Sequence, residues 1–415
     1  MKKKFNIALI PTILLLIISA SMLIDYKLTK TLTVIVIVFF IFNKKVRAKI
    51  ANIFKDKIAL SFLIIYFLFI IGMLWTEDYS KGFYILKRES LMLLSPLLIL
   101  LLDKKYLKYV LPTVLSTVFI SESIYLLEHF HIVDLYYKSK SIYHYPFIHR
   151  MYITTIIAFT IGYSIIQINF KKSYIYNTLY IVFILTSIYT LLSMGGRSGY
   201  INLFVILFIL ISYRFKKNIL KGMLYSIIIL ITIFSIFYTS NQTFQNRINT
   251  TIDKIHNTDL SEKAKDMKNS NRTSIGCRIG FWYNSFDVIE KNTLLGVGTG
   301  DSAIAMERHL STDEYKKLKT LCGLKVNKHF NSHNLYISML LLFGLPGLII
   351  IIYSFYLQIK VAILYSSQAM LILIIPTMIT MLSQSSLFTS HYFIAFYAYM
   401  LTTLYLQEKQ IRQEL

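Results

Sequence analysis

The segment Ser332-His333-Asn334-Leu335-Tyr336 opens an apolar run that ends in Gly344-Leu345-Pro346-Gly347. A polar stretch changes here into a run long enough to enter a bilayer, and one histidine stands at the change. The ordinary pKa of histidine lies near neutrality, so this side chain suits general-base chemistry beside a substrate. The helix N-terminus should lower that pKa and keep His333 neutral. The alternative is a histidine that only caps a helix or packs at an interface.

The chain has 415 residues, of which 55% are hydrophobic and 15% aromatic, with a mean hydropathy of +0.56. So many long apolar runs predict an all-α, polytopic membrane protein with lipids as partners. The net charge of +23 comes from short basic clusters between those runs. This pattern is typical of cytoplasmic membrane loops, and it argues against nucleic-acid binding.

The apolar runs predict about twelve transmembrane helices, each near the ~17–25 residues that a bilayer requires. The first run follows Lys2-Lys3-Lys4, so it is either a signal peptide or an uncleaved helix, and we expect the helix because a second run follows closely. The predicted spans are 5–24, 28–42, 58–74, 83–102, 107–127, 151–169, 174–192, 199–213, 222–238, 333–353, 361–382 and 391–406.

Lysine and arginine occur in every second connection and are far fewer in the other short connections. With a cytoplasmic N-terminus, the cation-containing inner connections lie at 44–57, 104–108, 171–172, 214–221, 360 and 409–412. This asymmetry places both termini inside and His333 on the outer, periplasmic face. It divides the chain into transmembrane helices 1–9 at 1–238, a large periplasmic loop at 239–332 and transmembrane helices 10–12 at 333–415.

The 239–332 segment is too long for a plain loop, so we expect it to fold. Asp301–Leu321 is predicted as an amphipathic helix that lies on the membrane surface as a lid, with apolar anchors at Ile304, Leu310, Tyr315 and Leu318. Leu295–Gly300 contains three glycines without the context of a dinucleotide site, and we interpret it as a tight outer turn. Cys277 and Cys322 form a disulfide or remain two free thiols.

Three groups of polar residues are candidates for substrate contacts. Arg197 lies in the short turn Met194–Gly199, where it either snorkels to the interface or binds phosphate through its guanidinium. Arg88, in Lys87-Arg88-Glu89, and Glu122 lie inside predicted spans, so they either serve a substrate or form an ion pair that joins two helices. Asn334 either orients His333 or binds a sugar hydroxyl. Arg278 by its position alone is an ordinary loop cation.

His333-Asn334, followed by nine residues, Gly344, two residues and Gly347, resembles the histidine motif of the O-antigen ligase and polymerase superfamily. Gly196-Arg197-Ser198-Gly199 resembles that superfamily's first conserved arginine, although Gly196 stands where we expect serine. The stretch from Arg278 to Gly298 resembles its arginine-to-glycine segment. By motif the similarity covers about 185–350, and by the order of spans and large loop it covers the whole chain.

The resemblance implies an inverting glycosyltransferase at the periplasmic face of a bacterial inner membrane. Its donor would be a glycan on undecaprenyl diphosphate. Arg197 and Arg278 carry over as ligands of the diphosphate, and His333 carries over as the base that activates the acceptor hydroxyl. Two guanidinium groups can neutralise the leaving group, and no acidic cluster suited to a hard metal ion is found, so we expect neither metal nor cofactor.

The acceptor remains open at this point. A ligase would use lipid A-core, which we expect first; a polymerase would use a second lipid-linked repeat; a protein-glycosylating relative would use serine or threonine. Two other classes compete with an enzyme. A lipid-linked glycan transporter would need ionisable residues deep in several spans and inverted repeats. A channel or structural membrane protein would not need the three motifs in order.

Overall fold

The computed structural model describes residues 10–42, 50–133, 147–169, 173–215, 217–256, 274–310 and 330–414. These residues form helices and no strand, so the predicted all-α class is confirmed. The helices of eight or more residues are α1 Ile10–Ser21, α2 Tyr26–Phe42, α3 Lys57–Ile71, α4 Tyr79–Glu89, α5 Leu94–Leu101, α6 Leu107–His129, α7 Arg150–Gln167, α8 Tyr174–Met194, α9 Arg197–Arg214, α10 Ile219–Ser240, α11 Gln242–His256, α12 Ser274–Lys291, α13 Ser302–His309, α14 Leu335–Leu364, α15 Gln368–Thr380 and α16 His391–Glu414.

Each of the twelve predicted spans coincides with helix over most of its described length. By length and composition, six helices of the described chain can cross a membrane, and α1 and α15 are shorter apolar helices. The total of twelve spans therefore stays a prediction. The six are Lys57–Trp75, Lys104–His129, Tyr174–Met194, Arg197–Arg214, Leu220–Ser240 and Leu335–Leu364.

Three predicted span boundaries are wrong. α14 runs on to Leu364, and α15 begins at Gln368, so the predicted division between 353 and 361 does not exist. The predicted 83–102 span consists of α4 and α5 joined by a 3-10 turn at Ser90–Leu93. α16 continues past 406 to Glu414. Hydropathy places such boundaries at polar residues, whereas a helix continues wherever its backbone hydrogen bonds can be made.

α14 is interrupted at Gly344, whose φ of 62° and ψ of −152° are not helical. The residues 293–298, called here the 293–298 loop, fill this break. Val297 and Gly298 donate backbone hydrogen bonds to the carbonyls of residues 341 and 342 (3.0 and 2.9 Å), and the N–H of residue 345 donates to Thr293 (2.9 Å). The two glycine motifs of the sequence thus meet, and the loop satisfies backbone groups that the break would otherwise leave unpaired.

The core lies where α3, α14 and α16 pack together, with α7, α9 and α15 beside them. A short polar chain crosses this apolar interior. Gln358 donates to the hydroxyl of Ser61 (3.0 Å) and accepts from the hydroxyl of Tyr397 (2.6 Å). All three side chains are almost wholly buried. Satisfied polar groups of this kind hold neighbouring helices in one register.

Side-chain hydrogen bonds join two of the predicted inner connections to the C-terminal part of α16, at one end of the bundle. Tyr405 donates to Asp56 (2.7 Å), and Lys104 donates to Gln413 (2.6 Å). The predicted outer connections meet at the other end, where both carboxylate oxygens of Asp301 accept backbone N–H groups of residues 77 and 78. These contacts agree with the predicted sides of the connections they join, and the alternation of the others stays a prediction. Which end faces the cytoplasm stays a prediction.

The large polar segment contains α11, α12 and α13 within its described part. The predicted helix Asp301–Leu321 is too long, because the described helix ends at His309 and Leu310 is extended. Residues 311–329, with the predicted anchors Tyr315 and Leu318, lie outside the described residues. Cys277 is disulfide-bonded, which agrees with the disulfide alternative. Cys322, the only other cysteine of the sequence, lies outside the described residues.

Candidate functional site

His333 sits in the turn that leads into α14, with a left-handed backbone at φ 54°. Its N–H donates to the side-chain oxygen of Asn331 (2.9 Å), which also accepts a hydrogen bond from the hydroxyl of Ser385. A non-glycine residue in this conformation is uncommon and needs support from its surroundings. The turn is therefore built to hold the imidazole in one place.

Asn334 is the N-cap of α14. Its side-chain oxygen accepts from the N–H groups of Tyr336 and Ile337 (2.9 and 3.1 Å), and its amide nitrogen donates to the carbonyl of Leu382 (2.9 Å). The side chain is 8% exposed. These three bonds engage both ends of the amide in capping α14 and joining it to residue 382, and both predicted roles of Asn334 stay predictions.

One face of α12 packs against the His333 turn. Arg278, Phe281 and Trp282 share this face because residues three and four apart are neighbours on a helix. Phe281 stacks on the imidazole of His333, with ring centroids 6.1 Å apart and 20° between the planes. Trp282 donates its indole N–H to the carbonyl of Ser332 (2.8 Å). α12 thus brings Arg278 beside the histidine, although its sequence position alone indicated an ordinary loop cation.

The pKa of His333 is lowered to about 4, first by burial and second by the charge of Arg278. The direction agrees with the prediction of a neutral imidazole, but its causes are burial and a nearby guanidinium. Burial and then the charge of Arg197 lower the pKa of Arg278. Arg278 therefore lies within electrostatic reach of both His333 and Arg197.

Arg197 is the first residue of α9 and follows a tight glycine turn. Gly195 ends α8 in the left-handed conformation, with φ 65°. A Cβ on Gly196 would lie 2.6 Å from the side chain of Thr154, so the turn packs closely against α7. The guanidinium is partly buried at the N-terminus of a helix, where free N–H groups also attract anions.

Arg247 on α11 belongs to the same group of charges and escaped the sequence analysis. It interacts electrostatically with Arg197. Among the described residues, no carboxylate forms an ion pair with Arg197, Arg247 or Arg278. An arginine in a polar segment carries no distinguishing signal in one sequence; only the packing of α11 reveals its neighbours.

Arg88 lies on α4 and is 9% exposed. Its Nε donates to Glu89 Oε1 (2.7 Å), whereas Glu122 accepts a hydrogen bond from Ser187 (2.9 Å). The ion pair that we considered between these two spans is therefore wrong, because Arg88 pairs with its own neighbour. The remainder of its guanidinium lines a cavity of about 50 Å³ that it shares with Asn331, Ser385, Ser302, Ser338 and Thr389.

This cavity adjoins the turn that carries His333, because Asn331 belongs to both. The arrangement combines a partly buried histidine, neighbouring guanidinium groups and a mostly apolar cavity with a few polar groups in its wall. Among the described residues, no group of three or more His, Cys, Asp or Glu side chains is placed to hold a metal ion. Independence from metal stays a prediction.

The sequence was compared with curated proteins and with models of protein families. A search of curated proteins gives no match to the chain. The family model described as O-antigen ligase matches residues 181–352, a range that includes the α8–α9 turn, all of the described α11–α13 and the His333 turn. Over this range, the resemblance of the chain to the O-antigen ligase superfamily is confirmed.

Proposed function

We propose that the protein is an inverting, metal-independent glycosyltransferase of the O-antigen ligase type. It transfers a glycan from undecaprenyl diphosphate to an acceptor hydroxyl at the periplasmic face of the inner membrane. The observation that carries the proposal is a series of neighbouring charges, in which His333 interacts with Arg278, Arg278 with Arg197, and Arg197 with Arg247. No carboxylate of the described chain is paired to any of the three arginines.

Guanidinium groups that no described carboxylate neutralises repel one another, so their proximity is electrostatically unfavourable by itself. An anion that binds beside them removes this repulsion and gains charge-assisted hydrogen bonds, each contributing about 1.5–3 kcal/mol. Guanidinium groups suit phosphate because two parallel N–H donors match two phosphate oxygens. A diphosphate is therefore the ligand class that this cluster suits best.

In the proposed reaction, the acceptor hydroxyl attacks the anomeric carbon from the side opposite the diphosphate. The imidazole of His333 takes the hydroxyl proton as the new C–O bond forms. The bond from the anomeric carbon to the diphosphate oxygen breaks, and its electron pair remains on the diphosphate. Attack from the opposite face inverts the configuration, and the arginines stabilise the charge of the leaving group.

The low pKa of His333 keeps the imidazole unprotonated at neutral pH, as a base must be, but it also makes the imidazole a weak acceptor of the hydroxyl proton. At neutral pH nearly every molecule carries the free base, because the pKa of about 4 lies well below that pH. Protonation of the imidazole then depends on charge that arises during the reaction. As the sugar loses its bond to the diphosphate, the added negative charge nearby favours the imidazolium.

Arg88 and its cavity are proposed as part of the acceptor side. The cavity meets the His333 turn through Asn331 and offers hydroxyl groups and a guanidinium that hold polar ligands. Its volume of about 50 Å³ admits a single polar group and no whole sugar ring. Lipid A-core is the acceptor that we favour, and a second lipid-linked repeat, which would make the protein a polymerase, is the alternative.

Substitution of the base tests the chemistry. We expect His333→Gln to abolish transfer from purified lipid-linked donor while the protein still inserts in the membrane and unfolds cooperatively. His309→Gln is the matched control, because this histidine lies in the same segment and pairs with Asp287 (3.2 Å) away from the cluster. Near-normal transfer by His333→Gln would exclude the role of base.

Substitution of Arg278 by Ala should abolish transfer as well. The control is Arg308→Ala, which removes one charge from an exposed pair with Glu77 (2.6 Å). Equal activities of the two arginine variants would contradict the assignment of Arg278.

Treatment with EDTA should leave transfer unchanged, and rescue of an EDTA-inactivated enzyme by Mg²⁺ or Mn²⁺ would refute metal independence.

The acceptor is identified by deleting the gene and analysing the glycolipids that accumulate. Unligated polymer on the lipid carrier would indicate a ligase, and acceptors capped with single repeats would indicate a polymerase. Intact glycolipids of normal length would contradict both.

A further inference from the structure

The position of Arg247 is fixed by an aromatic anchor one helical turn before it. Phe244 is wholly buried and packs edge-on against Tyr200, Phe234 and Phe237, with ring centroids 4.9, 5.5 and 6.0 Å apart. Its N–H is capped by the side chain of Asn241 (2.8 Å). The first turn of α11 is therefore fastened to both α9 and α10.

Arg247 shares the face of Phe244 because residues three apart are neighbours on a helix. Its Nε lies 2.9 Å from the position that a Cβ on Gly195 would occupy. Tyr200 strengthens the same junction, since its hydroxyl donates to the carbonyl of Leu192 (3.0 Å). The α8–α9 turn that carries Arg197 and the helix that carries Arg247 thus form one packed unit.

The proposed reaction changes the charge of the diphosphate. A diphosphate esterified at both ends, to sugar and to lipid, bears one negative charge on each phosphate. When the sugar–oxygen bond breaks, the electron pair stays behind, and the released lipid diphosphate bears a third charge. Interactions that strengthen as this charge develops accelerate the reaction, whereas those that bind donor and transition state equally do not.

We propose that Arg247 is a third diphosphate ligand and that it stabilises the charge that develops on the leaving group. Arg197 and Arg278 match the two charges of the bound donor, and Arg247 matches the third. The inference rests on the proposed function and adds a residue that the sequence motifs do not contain. The competing role is purely structural, in which Arg247 only neutralises the carbonyl end of α8.

Binding of the leaving group by itself tests the proposal without any transfer reaction. The probes are undecaprenyl diphosphate and undecaprenyl monophosphate, each titrated against the purified full-length protein in detergent. Arg247→Ala should weaken binding of the diphosphate by about 10- to 100-fold and binding of the monophosphate by less than about threefold. Lys291→Ala removes an exposed charge at the far end of α12 and should change neither.

A kinetic measurement supplies the second readout. With intact donor, Arg247→Ala should lower kcat by at least about tenfold and leave KM for the donor within about threefold. Arg247→Lys keeps a charge beside Phe244 but lacks the two-pronged donor, so it should retain an intermediate kcat and also serve if the alanine variant folds poorly. Equal weakening of both lipids, or no change in either, would overturn the proposal.

The proposed catalytic role of His333 and the proposed diphosphate binding by Arg247 can be refuted independently of each other. Normal transfer by His333→Gln would refute the catalytic base while leaving diphosphate binding by Arg247 to be judged from the titrations. Conversely, an Arg247→Ala variant with wild-type preference for the diphosphate would refute the third ligand while the assignment of His333 and Arg278 stands.

Discussion

Replacement of Gly344 by alanine should uncouple the 293–298 loop from α14. The backbone at Gly344 has φ 62° and ψ −152°, a region that only glycine occupies without strain. A Cβ there would also lie 2.4 Å from the carbonyl oxygen of Thr293. The nearest atoms belong to the backbone of the loop, so no rotation of a side chain can relieve the collision.

The cost has two parts. Forcing alanine into this conformation costs about 1–3 kcal/mol. If the loop moves away instead, the three backbone hydrogen bonds that join it to α14 are lost, at about 0.5–1.5 kcal/mol each. We therefore expect Gly344→Ala to lower the free energy of unfolding by roughly 1–4.5 kcal/mol, by either route.

Displacement of the 293–298 loop should also slow glycan transfer, because the loop follows α12 directly in the chain. A displaced loop allows α12 to shift, and with it the contacts of Phe281 and Trp282 to the His333 turn. Transfer by Gly344→Ala should therefore fall by at least about tenfold even at temperatures where the protein remains folded, since misplacement of a catalytic group by about 1 Å can cost on the order of 100-fold.

The assay combines thermal unfolding in detergent with initial rates of transfer below the transition. Leu345→Ala is the control, because this neighbouring side chain is 43% exposed and its backbone hydrogen bond to Thr293 survives the change. A Gly344→Ala protein that unfolds at the wild-type temperature and transfers at the wild-type rate would refute the docking of the loop as a structural requirement.

Three further predictions concern the same region. The kcat/KM for the donor, which reports the donor-free protein, should hold as the pH falls from about 8 to 5 and drop near pH 4, because the neutral imidazole of His333 is the active form and its pKa is about 4; a kcat/KM profile with its midpoint near 6.5 would contradict this. Asn334→Ala should destabilise the protein by about 1–2 kcal/mol through loss of the helix cap, measured as the free energy of unfolding, and an unchanged value would remove the capping role. Cys277→Ser should destabilise the protein by about 2–4 kcal/mol, since Cys277 is disulfide-bonded; a non-reducing mass map with a free thiol at Cys277 would exclude the bridge.

The placement of helices could be predicted from the sequence to a large extent. Apolar runs of bilayer length become helices because a backbone in lipid must satisfy its own hydrogen bonds. His333 was expected at the start of a helix, and it directly precedes the residue that caps α14. The predicted ends of spans were less accurate: α14 passes the residues where hydropathy falls, and the break at Gly344 follows from packing against a distant loop.

The site itself was predictable only where a motif exists. Arg197 and Arg278 were selected by resemblance, and the structure brings both within electrostatic reach of the cluster. Arg247 has no motif, and its membership depends on the burial of Phe244. Asn334 was expected to orient His333 or to contact sugar; its hydrogen bonds cap α14, and both roles stay predictions.

The sequence by itself determined that the chain is a helical membrane protein, because hydrophobicity and backbone hydrogen bonding act locally along the chain. It also determined which segment carries the histidine. Tertiary structure alone decided which charges meet there, because the segments that carry them are distant in sequence. Aromatic contacts join α11 to α9 and α12 to the His333 turn. The low pKa of His333 is decided at the same level, because burial and the charge of Arg278 exist only once the helices have packed.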